Sequence, residues 1–346
     1  MAKTATDYIN LDYSNSEQVQ ELIDKLQIDY IVPGCNDLSY QVCAKLHSDK
    51  KFYGIDSPEI TEKIHNKERF RELAIQIGLP VPRLFSADIK NEIWPLIIKP
   101  VNAYSGRGIS IVHKTEQHEL GSAIKLAEKF SRTKKYIVEE YIKGQLHSHS
   151  AFIVDGKIVV DFIVEECCIA NPFVVDTSRV IYDFPLEILN RIRDAVTLMA
   201  RKMSLTDGLI HTQFIKNKEH FWLIEITRRC PGDLYSQLIE LSTGFNYAEN
   251  YARPYINQKY SFRKNTVKQS WIMRHVITQP TEGIFESVQF KLPIHIEKMV
   301  PLALAGDTVK ASPFSKIGIL FIKSDSKECL DSTYNKALTR DLYTIN

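Results

Sequence analysis

Ile97-Ile98-Lys99-Pro100, followed after four residues by Ser105-Gly106-Arg107-Gly108, is the stretch that decides the fold. The run from Trp94 to Lys99 is apolar and short enough for a buried strand, and Ile109 to His113 reads as a second. A Lys at a strand end beside a glycine loop is a phosphate cradle. The ammonium supplies a point charge, and glycines let backbone N–H groups approach anionic oxygens closely. GxxxxGK[ST] is absent, so this is not a P-loop of the Walker kind. Taken alone, the same residues also fit a plain surface turn between two strands.

Upstream, residues 17 to 55 read helix, strand, helix, strand. Val19, Leu22, Ile23 and Leu26 recur at helical spacing, Asp29 to Gly34 is extended and apolar, Leu38 to Leu46 is amphipathic, and Phe52 to Ile55 is a short strand. Such alternation predicts a parallel sheet with covering helices. Ser57-Pro58 opens a helical region, and the run Lys67 to Gln76 stops at Gly78-Leu79-Pro80.

Downstream, helix Glu119 to Phe130 leads to strand Tyr136 to Ile142, then to a hairpin over Ala151 to Val164 turning at Asp155-Gly156. A helix over Leu186 to Met203 precedes a second hairpin, Leu209 to Ile215 and Phe221 to Thr227. Alternation puts His211 with Gln213, and Glu225 with Thr227, on shared faces, and leaves Trp222, Ile224 and Ile226 for the core. A carboxylate among apolar neighbours on a buried hairpin needs a partner, and hard oxygen ligands suit Mg²⁺. The bland alternative is a solvent-facing side of an edge hairpin. The following Arg228-Arg229-Cys230-Pro231-Gly232-Asp233 suits anionic ligands. Short strands with Gly and Pro punctuation then fill 256–346, closing in a helix over Lys327 to Ala337.

With 346 residues, 44% hydrophobic and 25% charged, the chain has room for two or three domains and no signature of disorder. A net charge of +2 argues against a nucleic-acid footprint or an anionic-membrane anchor. The most apolar segment, Ala151 to Val164, is broken by Asp155, Lys157 and Asp161, so no membrane span is expected. The beginning lacks an apolar core, which predicts no secretory signal and a cytoplasmic setting with free thiols. None of the six cysteines forms a CxxC pair, so structural zinc is not expected.

In order and spacing, these motifs resemble the ATP-grasp superfamily, in particular its carboxylate–amine ligases and the biotin-carboxylase and carbamoyl-phosphate-synthetase type enzymes, from about Ile55 to Ile256. The resemblance implies an α/β (α+β) ATP-grasp fold with a truncated N-terminal Rossmann-like domain over 1–62. It implies a nucleotide-binding region over 63–255 with a lid at about 94–142, and a β-rich C-terminal part over 256–346. Lys67 and Lys99 look like the two ATP lysines, and Ser105, Gly106 and Gly108 like the loop closing over phosphates. Glu139, Tyr141 and Ile142 look like the adenine-binding hinge, and His147 is placed to reach the ribose. Glu225-Ile226-Thr227-Arg228-Arg229 resembles the "Glu, apolar, Asn, x, Arg" signature that binds metal and an acyl phosphate.

Two positions depart from that pattern. Gln213 stands where many members carry Glu, and Thr227 where the signature usually has Asn. The implied metal set is therefore Gln213, Glu225 and Thr227, with Mg²⁺ or the similar Mn²⁺ bound more weakly than by two acids. The implied reaction activates a carboxylate as an acyl phosphate with ATP, and an amine then displaces phosphate; Lys99 and Arg229 stabilise the charge. The expected partners are a small-molecule carboxylate and amine, with a homodimer as the assembly to test. The alternatives are a carboxylating ligase, a small-molecule kinase on the same scaffold, or a nucleotide-binding module without turnover.

Overall fold

A computed structural model describes residues 7–86, 93–103, 106–261 and 269–346. Four helices open the chain: α1 (Ser16–Leu26), α2 (Asp37–Asp49), α3 (Pro58–His65) and α4 (Lys67–Gln76). Each has a side-chain N-cap, from Asn15, Asn36, Ser57 and Asn66 respectively. These caps satisfy amides that a helix start leaves without partners.

The parallel sheet expected here is not formed. Residues 28–34 and 51–56 form no strand, the second turning at Tyr53–Gly54, where Gly54 has φ +68°, and among the described residues no strand precedes Leu84. An apolar run becomes a strand only when a neighbour completes its ladder. In its absence, side chains bind these carbonyls. Lys50 Nζ donates to Ile28 O at 2.7 Å, Tyr251 Oη to Pro33 O at 3.1 Å, and Thr206 Oγ1 to Gly54 O at 3.2 Å. Phe52 and Ile55 are buried all the same.

Strands β1 (Leu84–Phe85), β2 (Leu96–Pro100), β3 (Ser110–Val112) and β4 (Tyr136–Glu140) form an antiparallel sheet in the order β1-β4-β2-β3, covered by α5 (Leu120–Phe130). Leu96 and Ile98 pack with Ala123, Ala127 and Val138 beneath that helix. Alternation then turns Ile97 and Lys99 to the other face.

The remaining elements are β5 (Gln145–Val154), β6 (Lys157–Cys167), β7 (Thr177–Val180), α6 (Leu186–Lys202), β8 (Gly208–Asn217), β9 (His220–Thr227), α7 (Tyr235–Thr243), α8 (Tyr247–Ala252), β10 (Trp271–Ile277), β11 (Gly283–Ile284), β12 (Val288–Phe290), β13 (His295–Pro301), β14 (Thr308–Val309), β15 (Gly318–Ser324), α9 (Lys327–Leu338) and β16 (Tyr343–Ile345). Eight strands make one antiparallel sheet, β13-β15-β10-β7-β6-β5-β8-β9, which runs across residue 256 without a break. Two small ladders, β11-β14 and β12-β16, flank it.

One face of the large sheet packs Ala151, Ile153 and Ile210 against Ile192, Val196 and Met199 of α6. The other packs Phe152 and Leu209 against Leu238 and Ile239 of α7 and the N-terminal helices. Among the described residues no helix is long and apolar enough to cross a membrane.

Candidate functional site

A cavity of about 550 Å³ separates the four-stranded sheet from the large one. Lys99 reaches it from β2, because its position alternates with buried Ile98. Its Nζ donates to Glu139 Oε2 at 2.7 Å, while Arg71 Nε donates to Glu139 Oε1 at 2.5 Å. Arg71 also donates to the carbonyls of Leu223 and Ile224, tying α4 to β9. Burial would push the Glu139 carboxyl up, but the charges of Lys99 and Arg71 outweigh it and hold the group below its ordinary value.

Lys67 starts α4, where the Asn66 cap fixes the helix beside the cavity. Its Nζ lies 3.1 Å from Glu225 Oε1 and 3.3 Å from the Ala103 carbonyl. Across the β8–β9 hairpin, Gln213 is the register partner of Glu225. A bulge at Gln213/Phe214 inserts one extra residue in β9. It corrects the expected core face. Phe221, Leu223 and Ile226 are the core residues, whereas Ile224 joins the cavity wall.

Three residues that the sequence reading passed over complete the site. Glu166 of β6 is buried and accepts from Gln213 Nε2 at 2.7 Å; burial, the dominant influence, raises its pKa. Its signal was its phase, since Glu166 shares a strand face with buried Phe162 and Val164. Arg274 of β10, also buried, donates Nε–H to the Asp233 carbonyl at 2.6 Å and Nη1–H to Ser178 Oγ at 2.8 Å. Lys316 pairs with the Asp233 carboxylate. Nothing in local sequence distinguished these last two from ordinary surface cations.

Arg229 lines the cavity and is gripped from behind by Asp37, whose Oδ1 accepts from Arg229 Nε at 2.9 Å. The same oxygen takes Thr227 Oγ1 at 3.2 Å and His65 Nδ1 at 3.1 Å. Burial would raise the Asp37 carboxyl, yet the His65 bond and the Arg229 charge hold it well below the usual carboxylate range.

The cavity thus gathers Lys67, Lys99, Gly106, Tyr141, Ile142, Gln213, Glu225, Thr227 and Arg229. Other expected residues lie elsewhere. Glu139 has no exposed surface, and its carboxylate belongs to the Arg71–Lys99 pair rather than to a base or ribose. His147 is stacked on Phe214 and edge-on to Phe184, because odd-numbered β5 positions face α6. Gly108 abuts Phe130 and Pro100 instead of the cleft. Arg228, expected beside the anion, is buried on Asp56 at 2.6 Å, in the bend that follows β9. Ser105 lies outside the described residues.

Gly106 has φ +67°, and a Cβ there would stand 2.6 Å from Phe173 Cβ. The glycine loop therefore seats against the β6–β7 connection, which carries Phe173.

Mg²⁺ suits this donor set. Glu225, about two-fifths exposed, stands beside the Gln213 amide, and an ion that keeps several waters needs few protein oxygens. The Thr227 hydroxyl is turned to Asp37. Among the described residues no three His, Cys, Asp or Glu side chains cluster as a metal cage.

Residues 92–237 match the model of the ATP-grasp domain. The chain is 23% identical over 183 residues to the carbamoyl phosphate synthase large chain, C-terminal section, of Aquifex aeolicus, covering 50% of this chain and 34% of that one. It is 28% identical over 145 residues to a formate-dependent phosphoribosylglycinamide formyltransferase of Prochlorococcus marinus, covering 39% of this chain and 37% of that one. It therefore spans little more than a third of these curated relatives. Among solved structures, an L-amino acid ligase from Bacillus licheniformis superposes with a TM-score of 0.79 at 19% identity, over 97% of this chain and 85% of that one. The likeness in fold extends far beyond the likeness in sequence, and it is residues 92–237 that carry the match to the ATP-grasp domain.

Proposed function

We propose that this chain is a cytoplasmic ATP-dependent ligase that activates a small carboxylate as an acyl phosphate and joins it to an amine, releasing ADP and phosphate. The observation that carries this reading is one cavity lined by Lys67, Lys99, Arg229 and Glu225, with Lys67 on Glu225 and with Arg274 and Lys316 beyond them on Asp233. Fixed cations stabilise a phosphoryl group that changes hands better than water does, since they need no reorganisation. The four-stranded sheet with its glycine loop acts as the lid, and Tyr141 and Ile142 serve as the hinge against the base. Glu225 and the Gln213 amide would hold Mg²⁺, which when bound supplies positive charge to the nucleotide phosphates.

Lys67 and Lys99 bind and orient the phosphates, and Arg229 neutralises the oxygens of the acyl phosphate. Beyond it, Arg274 and Lys316 bind the acid or the acceptor. No covalent enzyme intermediate is required. The cavity thiol Cys168 is pushed up to about 12 by burial, so it is no nucleophile at neutral pH. The test is ADP release across a matrix of carboxylates and amines. ADP formed only when both are present supports a ligase; transfer to a hydroxyl or to bicarbonate points to the kinase or carboxylating alternative. ATP binding with no ADP across the matrix would falsify the ligase reading. A homodimer remains the proposed assembly, checked by light scattering.

A further inference from the structure

We propose that Asp37, contributed by the N-terminal helices, is a positioning residue that holds Arg229 in its working orientation. The proposal rests on the ligase reading only for what Arg229 does; the positioning itself stands on geometry.

Three donors from two parts of the chain converge on a single oxygen, Asp37 Oδ1. They are Arg229 Nε at 2.9 Å, His65 Nδ1 at 3.1 Å and Thr227 Oγ1 at 3.2 Å. Such convergence fixes the carboxylate far better than one ion pair would. His65 is itself held, stacked on Tyr40 with its ring centroid 5.4 Å away. Asp37 lies in the first turn of α2, after the Asn36 cap, where the helix dipole favours a negative charge.

The consequence falls on Arg229. A guanidinium is a planar fork, and a carboxylate on its Nε edge fixes the plane; Nη1 donates to the Cys230 carbonyl at 3.5 Å, and Nη2 is left for a ligand. Arg229 lines the cavity, and Asp37 stands behind it, outside the cavity wall. A free arginine side chain would sample many rotamers and lose much of its value as a preorganised charge. Asp37 also takes the Thr227 hydroxyl, so one acid sets both the metal strand's last side chain and the arginine two residues on. The N-terminal helices are thereby a part of the site, although the sequence places Asp37 and Arg229 192 residues apart.

The test uses the full chain with Asp37→Ala, Asp37→Asn and Asp37→Glu, and Arg229→Lys to assign the Arg229 Nε–H resonance by its loss. In the wild type that resonance should be sharp and slow to exchange with solvent. In Asp37→Ala and Asp37→Asn it should broaden or move and exchange at least about tenfold faster, the range given by loss of one charge-assisted hydrogen bond. With a productive carboxylate and amine pair, kcat should fall roughly 10- to 100-fold while KM for ATP changes less than about threefold, and Asp37→Glu should recover part of the loss.

An unchanged Arg229 resonance in both uncharged variants overturns the proposal, as does a kcat that both variants keep at the level of a wild type that turns over. If the wild type releases no ADP but the variants still free Arg229, positioning stands and the ligase reading falls. If Asp37→Ala fails to fold, the near-isosteric Asp37→Asn decides.

Discussion

Glu139→Gln separates a structural carboxylate from a nucleotide ligand, and its cost can be worked from the contacts. Glu139 is fully buried between Arg71, whose side chain is 1% exposed, and Lys99, at 11%. Glutamine keeps the volume and removes the charge. Breaking a buried pair from one side leaves the other charge uncompensated, at about 3–5 kcal/mol. Arg71 keeps its bonds to the Leu223 and Ile224 carbonyls, and Lys99 can turn to the cavity, so the loss should lie near about 3 kcal/mol. With an m-value of about 2–3 kcal/mol/M, the urea midpoint should fall by about 1–1.5 M. The measurement is urea unfolding followed by circular dichroism, with ATP affinity taken by calorimetry on the folded variant. A wild-type midpoint together with lost ATP affinity would refute this reasoning and return Glu139 to the nucleotide.

Lys67→Ala should weaken ATP binding by about 1.5–3 kcal/mol with little change in the unfolding midpoint, since the ammonium sits at the cavity with Glu225; unaltered affinity by calorimetry would remove Lys67 from the site. Gly106→Ala should hinder loop seating, because of both the left-handed φ and the 2.6 Å approach to Phe173. Adding Phe173→Ala should restore none of the ATP affinity, because the Phe173 Cβ and carbonyl that stand in the way are kept by alanine, and full restoration would show that neither the close approach nor the backbone strain matters. Burial holds both His211 and His275 at about 3, so on acidification below about 6.5 the unfolded chain takes up protons that the folded one refuses. Stability should therefore drop as pH falls, by about 2 kcal/mol per histidine between pH 7 and 5. His211→Gln should remove about half of that loss. A flat urea midpoint over the same interval would contradict the assignment.

The sequence by itself determined what depends on near neighbours. Helix starts at Ser57-Pro58 and Lys67, the Asp155-Gly156 turn and the strand carrying Lys99 follow from caps, left-handed turn residues and period-two alternation. So does the pairing of Gln213 with Glu225, because a hairpin's register is fixed by its own turn. Tertiary structure decided what each charge faces. Alternation shows that a side chain leaves one face of a strand but not what stands across the gap, so Glu139 and Arg228 looked like ligands until Arg71 and Asp56 were found opposite them. For the same reason Glu166, Arg274 and Asp37 passed unnoticed, their partners lying 47, 41 and 192 residues away. The runs at 28–34 and 51–56 make the point for the backbone. Their apolar pattern is that of strands, but a ladder belongs to two segments at once, and only the assembled fold shows whether the second is there.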